Sequence, residues 1–308
     1  MKLNKNVIKV VCFGLIFCML FWTVQEVFLP KRVFGREKSE PTTNMIGGFY
    51  EEPENSFDVL LIGSSSMFCN VNPLVMFREN GISSYILGTS AQQLDATYFL
   101  LKEGLKTQKP EIVVIDVRSI VYQDNYSEAY NHFVFDYAPF SINKVQGIRS
   151  SLEIAEDKSM INYLLPIVKY HTRWKELNTN DFAQLGGERN YALKGYYARY
   201  NSQKTDYDDY YKIADLTEMP ARNRYYLDKM IETCEKENIE LIFIKTPMAA
   251  TWRLQYSDMM VDYLADKNIS FLDYNFVLDI HLNVKRLLWL PYHSDAHRRQ
   301  RNPDLSLN

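Results

Sequence analysis

Cysteine is scarce in this 308-residue chain: four residues, no Cys-x-x-Cys pair and no cluster with histidine. Neither a zinc centre nor a disulfide framework is encoded by such a pattern. Cys12 and Cys18 fall inside an N-terminal apolar run. That leaves Cys69 and Cys234 for the folded part, with a single bridge between them open. Charge of one sign is also lacking. Lys and Arg number 35 against 38 Asp and Glu, a formal net charge of −3, so nothing points to nucleic acid as a partner. No internal repeat and no low-complexity tract appears, and the composition is that of a folded globular protein. No metal or cofactor is expected. Tyr and Phe are plentiful, at 22 and 17. Rings of that size fill cores first, although they also suit sugars.

The N-terminus reads MKLNKNVIKVVCFGLIFCMLFWTVQEVFLPKR. Lys2, Lys5 and Lys9 precede an apolar run from Val10 to Val24 that continues weakly to Leu29. A bilayer span takes roughly 20 residues, with about 17 as the lower limit. No small-x-small cleavage site follows, so residues 1–30 are expected to be an uncleaved signal anchor; a buried core helix is the alternative. Lys31, Arg32 and Arg36 follow the run and mix the charge signal. The expected arrangement is single-pass in the cell membrane, with a cytoplasmic N-terminus and an extracytoplasmic C-terminal domain. Residues 31–56 are polar and carry Pro41, Gly47, Gly48 and Pro53, which reads as a stalk.

Five short runs dense in Val, Ile, Leu and Phe follow. They are Asp58–Gly63, Ser83–Gly88, Glu111–Val117, Ile239–Thr246 and Ile269–Tyr274. Such runs fit strands buried on both faces of a parallel sheet. Segments with helical spacing precede the third, fourth and fifth, which predicts βαβ units and a three-layer α/β/α fold around a five-stranded parallel sheet. A long insertion, about 119–218, separates the third and fourth strands; such insertions commonly build lids or binding surfaces. Ligands of these sheets bind at the carboxyl ends of the strands. There the sequence places Gly63 with Ser64, Ser65 and Ser66, then Gly88, Thr89 and Ser90, then Asp116 and Arg118, then Thr246, then Asp273 and Asn275, followed by Asp279 and His281. A serine, a glycine turn, an acid and a histidine on one rim are the parts of an activated-serine site. The serines also suit helix N-capping, so both roles stand at this point.

These residues resemble the SGNH/GDSL hydrolase superfamily. "GSSS" at 63–66 looks like a variant of the family's Gly-Asp-Ser block with Ser64 in the aspartate's place, "LGTSAQQ" like its second block, and "HLN" at His281–Asn283 like its histidine block. More narrowly, the chain resembles membrane-anchored, extracytoplasmic SGNH proteins of Gram-positive bacteria, distantly similar to the DltD and alginate acetylation proteins. The segments "DYAPFSINKVQGI", "YLLPIVKYHTRWKELNTNDF" and "KGYY" add to that likeness. The resemblance covers 57–283 and implies a flavodoxin-like strand order. It makes Ser65 the nucleophile, His281 the base, and the backbone N–H groups of Ser65 and Gly88 the oxyanion donors, with Asp279 orienting the histidine. Two departures stand out. The family's Asp-x-x-His spacing is missing, because Leu278 occupies the place three residues before His281. The tail, 284–308, is basic and holds Pro291 and Pro303 instead of a packable closing helix.

The implied activity is that of a serine esterase or O-acyltransferase acting through an acyl-enzyme on acylated cell-surface polysaccharide. Partners would be that glycan and a membrane-bound O-acyltransferase. The rival expectation keeps the fold and the anchor without catalysis, as an accessory protein for such an acyltransferase. Asp295 and His297 form a second acid–histidine pair in the tail. His171 and Arg173, with Ser90, are candidates for substrate binding, the arginine for a phosphate or carboxylate. The stretch Thr205–Tyr211 reads as a solvated loop, since carboxylate spacing alone does not make a metal site.

Overall fold

The computed structural model describes residues 5–30, 42–122, 127–155, 159–183, 192–197, 212, 214–247 and 252–275. Helix α1 (Lys5–Phe28) leaves Val10, Phe13, Leu15, Met19 and Trp22 exposed along its length. Its last turn is different: Gln25 and Val27 are buried, as is Leu29 just past the helix.

Helix α2 (Thr42–Phe49) falls within the stretch 31–56 expected to be a stalk. Met45, Ile46 and Phe49 are fully buried, the Tyr85 hydroxyl donates to Met45 O at 2.7 Å, and the Phe49 ring packs 5.3 Å from Tyr85. Three apolar residues at helical spacing make one sticky face. At about 1.5–3 kcal/mol for each large side chain removed from water, that face outweighs the flexibility suggested by Gly47 and Gly48.

The sheet holds β1 (Val59–Gly63), β2 (Ser84–Gly88), β3 (Ile112–Asp116), β4 (Glu240–Lys245) and β5 (Ser270–Asp273). All pairs are parallel and the order is β2-β1-β3-β4-β5. Each strand falls within the run expected for it. Side chains alternate between two apolar clusters. Leu60, Ile62, Leu87, Val113, Ile115 and Phe243 enter one; Val59, Leu61, Ile86, Val114, Ile242 and Ile244 enter the other. Both faces are therefore dry, which is why the runs show no polar alternation.

Between β1 and β2, α3 (Ser65–Asn70) and α4 (Pro73–Asn80) supply Met67, Phe68 and Met76 to the second cluster. Asn72 starts α4 by accepting from Leu74 N and Val75 N. Helix α5 (Leu94–Thr107) supplies Phe99, Leu100 and Leu101 to the first cluster. The described part of the expected insertion contains α6 (Glu128–Phe135), α7 (Ile142–Leu152), α8 (Ile161–Leu164), α9 (Pro166–Tyr170), a tight 3₁₀ turn at His171–Lys175, and α10 (Thr179–Ala183). Helices α11 (Ala221–Glu237) and α12 (Leu254–Leu264) add Leu227, Met230 and Met260 to the first cluster. No Cys69–Cys234 bridge forms. Neither is in a disulfide: Cys234 lies inside the first cluster and Cys69 against the second, with the sheet between.

Candidate functional site

Strand order reverses between β1 and β3, because the chain passes from β1 outward to β2 and then back across to β3. That reversal opens the crevice in which parallel sheets hold ligands. Ser64, Ser65 and Ser66 leave β1 there, and Asp116 ends β3 beside them. The Ser66 hydroxyl donates to Asp116 Oδ1 at 2.7 Å, and the Arg118 amide donates to the same oxygen at 3.0 Å. Thr246, just past β4, gives Oδ2 its amide at 3.1 Å and its hydroxyl at 2.9 Å. An ionised carboxylate offers roughly four lone-pair sites, and here four donors occupy them. Asp116 is therefore a positioning residue. It ties the β1 turn to β3 and β4.

Ser64 and Ser66 are buried, with their hydroxyls 3.1 Å apart. Ser65 lies between them and is half-buried, and its hydroxyl makes no hydrogen bond among the described residues. Ser64 stands at the N-cap of α3 in an extended conformation (φ −83°, ψ −161°), but its side chain does not cap. It turns to the Ser66 hydroxyl instead. The capping role weighed for the serines is thus not realised.

Gly63 and Gly88 face each other in register across β1 and β2. A Cβ on Gly88 would lie 2.8 Å from Gly63 O, and one on Gly63 would lie 2.9 Å from Asp116 Cβ. Glycine is required at both by close approach alone. The loop after β2 is fixed from within: Gln92 Oε1 accepts from Thr89 N at 2.9 Å and faces the Thr89 hydroxyl at 3.1 Å, while Gln92 Nε2 donates to Thr97 Oγ1 at 3.0 Å. Beside the half-buried Ser90, Ala91 holds a φ of 49°. For a residue with a Cβ this conformation costs about 1–2 kcal/mol, and such strain gathers at working loops.

Lys245 was not anticipated. It ends β4 with its ammonium fully buried, donating to Thr246 O at 2.5 Å and lying 5.2 Å from the Trp252 ring centroid. Burial lowers its pKa, while the nearby Asp116 and Asp273 charges act in the opposite sense. Asp273, opposite it in register, accepts from Asn275 N and Nδ2, both at 2.9 Å, and from the Ser257 hydroxyl. The available signal was a lysine closing the apolar run ELIFIK. The Arg118 guanidinium lies over the Tyr122 ring at 6.0 Å, half-buried, with no side-chain hydrogen bond among the described residues. Burial raises the Tyr122 pKa, against the lowering effect of Arg118.

Two expected substrate-binding residues sit elsewhere. Arg173 donates to Phe28 O at 2.6 Å and to Asp181 Oδ1 at 2.8 Å, so its fork fastens the end of α1 to the insertion. His171 is exposed on the same turn, its Nδ1 2.9 Å from Val168 O. The other described histidine, His132, is buried in α6, stacked 4.2 Å from Tyr163 and 2.7 Å from Asp136 Oδ1. Asp279 and His281, the pair Asp295 and His297, and the stretch 205–211 all lie outside the described residues. No group of three or more metal-ligating side chains occurs among the described residues. A scan against protein-family models matches none, and a search of curated proteins finds no match to the chain. What fold and rim define is a class: an α/β protein with a five-stranded parallel sheet, whose carboxyl edge carries a buried serine–carboxylate–threonine network, with a buried lysine beside it, around one half-exposed serine. An apolar N-terminal helix of membrane-spanning length is joined to it.

Proposed function

We propose that this chain is a membrane-anchored serine esterase or O-acyltransferase of the SGNH type, with a three-layer α/β/α domain acting outside the membrane on acylated cell-surface polysaccharide. The observation that carries this reading is the setting of Ser65. Ser65 is half-buried at the switch point with no hydrogen bond to its hydroxyl among the described residues, on a turn locked on either side by Ser64, Ser66 and Asp116. In the proposed reaction Ser65 Oγ attacks the ester carbonyl. Its proton passes to a base, assigned to His281, and the C–O bond to the leaving alcohol breaks as that alcohol takes the proton back. Water or a second sugar hydroxyl then releases the acyl group from Ser65. The Ser65 and Gly88 amides would face the oxyanion, where losing one donor costs about 2.7–4 kcal/mol.

Fluorophosphonate labelling of the purified full chain tests this. Wild type is expected to form a Ser65 adduct and Ser65→Ala to form none while remaining folded. A folded wild-type protein that stays unlabelled would falsify the catalytic reading. One observation favours the accessory role as a second reading: neither described histidine lies at the rim, and Asp116 has no free lone pair to serve as a base. Under that reading the rim binds polymer, and glycan binding survives Ser65→Ala unchanged.

A further inference from the structure

The end of α1 is held by the insertion. Gln25 Oε1 accepts from Ile167 N at 2.7 Å, Arg173 binds Phe28 O at 2.6 Å, and the Tyr137 hydroxyl donates to Pro30 O. The exposed apolar surface of α1 stops at Val24, immediately before the buried Gln25. From Lys5 to Val24 is about 20 residues, or about 30 Å at ~1.5 Å per residue, which matches the hydrocarbon thickness of a bilayer. The elements that grip α1 also present large apolar side chains to the outside: Trp174 is 64% exposed and Phe182 55% exposed, with Val168 and Ile161 on neighbouring turns. Trp22, one turn before the grip, is exposed at the same end of α1. Lys175 lies 5.3 Å from the Trp174 ring centroid, so an apolar ring and a cationic head share one tip.

Clustered exposed apolar side chains mark interaction surfaces. Tryptophan beside lysine is the pairing favoured at the headgroup level of a membrane, where a ring finds hydrocarbon and an ammonium finds phosphate. We infer that the outer face of the 166–183 segment, with Trp174 and Phe182 as its apolar contacts, docks on the same bilayer that α1 crosses. The inference rests on the reading of α1 as a membrane span and adds a second, non-spanning contact to it. The occupant is the phospholipid headgroup layer, because the patch lies on the same turns that bind the end of α1, where its exposed apolar surface stops.

The test uses the full chain in phosphatidylcholine–phosphatidylglycerol vesicles, with photoreactive benzoylphenylalanine placed at Trp174 or, as a control, at Tyr225. Tyr225 is an exposed ring on α11. The expected result is a phospholipid adduct at position 174 in several-fold excess over position 225. Absence of that excess, or cross-linking of position 174 to a second copy in place of lipid, overturns the docking surface even though the chain stays in the vesicle pellet after alkaline washing. Release of the chain by the alkaline wash overturns the anchor reading itself.

Discussion

Replacing Asp116 by Asn preserves the side chain's shape but turns one acceptor into an NH₂ group facing donors. The Thr246 amide and hydroxyl both point at Oδ2, and the Ser66 hydroxyl and Arg118 amide at Oδ1. Whichever way the amide sits, at least one buried donor loses its acceptor. Asp116→Asn is expected to cost about 2–3 kcal/mol, read as a lower urea midpoint with unchanged slope. A second residue-scale outcome concerns alkaline pH. Burial pushes the Cys234 thiol from 9.0 up to about 12. An acid whose folded pKa is raised holds its proton in the native state while the unfolded chain releases it. Its contribution is complete below the unfolded value of 9.0 and declines as pH rises toward the folded value. Wild type should lose about 1 kcal/mol more stability than Cys234→Ala between pH 9 and about pH 10; tyrosine ionisation, which begins in that range, is common to both proteins and cancels in the difference. Equal losses would show that Cys234 ionises freely in the fold.

At the scale of elements, the β1–β2 contact and the grip on α1 fail in different ways. Gly88→Ala drives a methyl to 2.8 Å from Gly63 O, where backbone has no room to yield. It should destabilise by about 1–3 kcal/mol and, by moving the two strand ends apart, reduce Ser65 labelling as well. Arg173→Ala should leave that labelling intact. It strands the buried Asp181 carboxylate and Phe28 O, and is expected to cost about 2–3 kcal/mol, with faster amide hydrogen exchange confined to 166–183 and the last turn of α1. The strands were legible because five apolar runs ended in turn residues. Helix α2 was not: Gly47 and Gly48 interrupt its apolar residues, and only the packing of Phe49 on Tyr85 and Phe57 reveals it. Arg173 read as a ligand-binding cation because its partners, a carbonyl 145 residues away and a local acid, leave no mark in sequence.

For the whole molecule, strand order explains which part of the candidate site the sequence could supply. A parallel sheet gathers the residue after every strand onto one edge, so Ser65, Gly88, Asp116, Thr246 and Asp273 come together through topology alone. Partner choice within that edge is three-dimensional. It is Ser66, not Ser65, that binds Asp116, and Lys245 is buried in register with Asp273 across β4 and β5. The join between α1 and the domain has a mechanical consequence. Tension applied along α1 would reach Arg173, Ile167 and Tyr137 through Phe28, Gln25 and Pro30. The grip thus shares such a pull among three hydrogen bonds to separate points of the insertion.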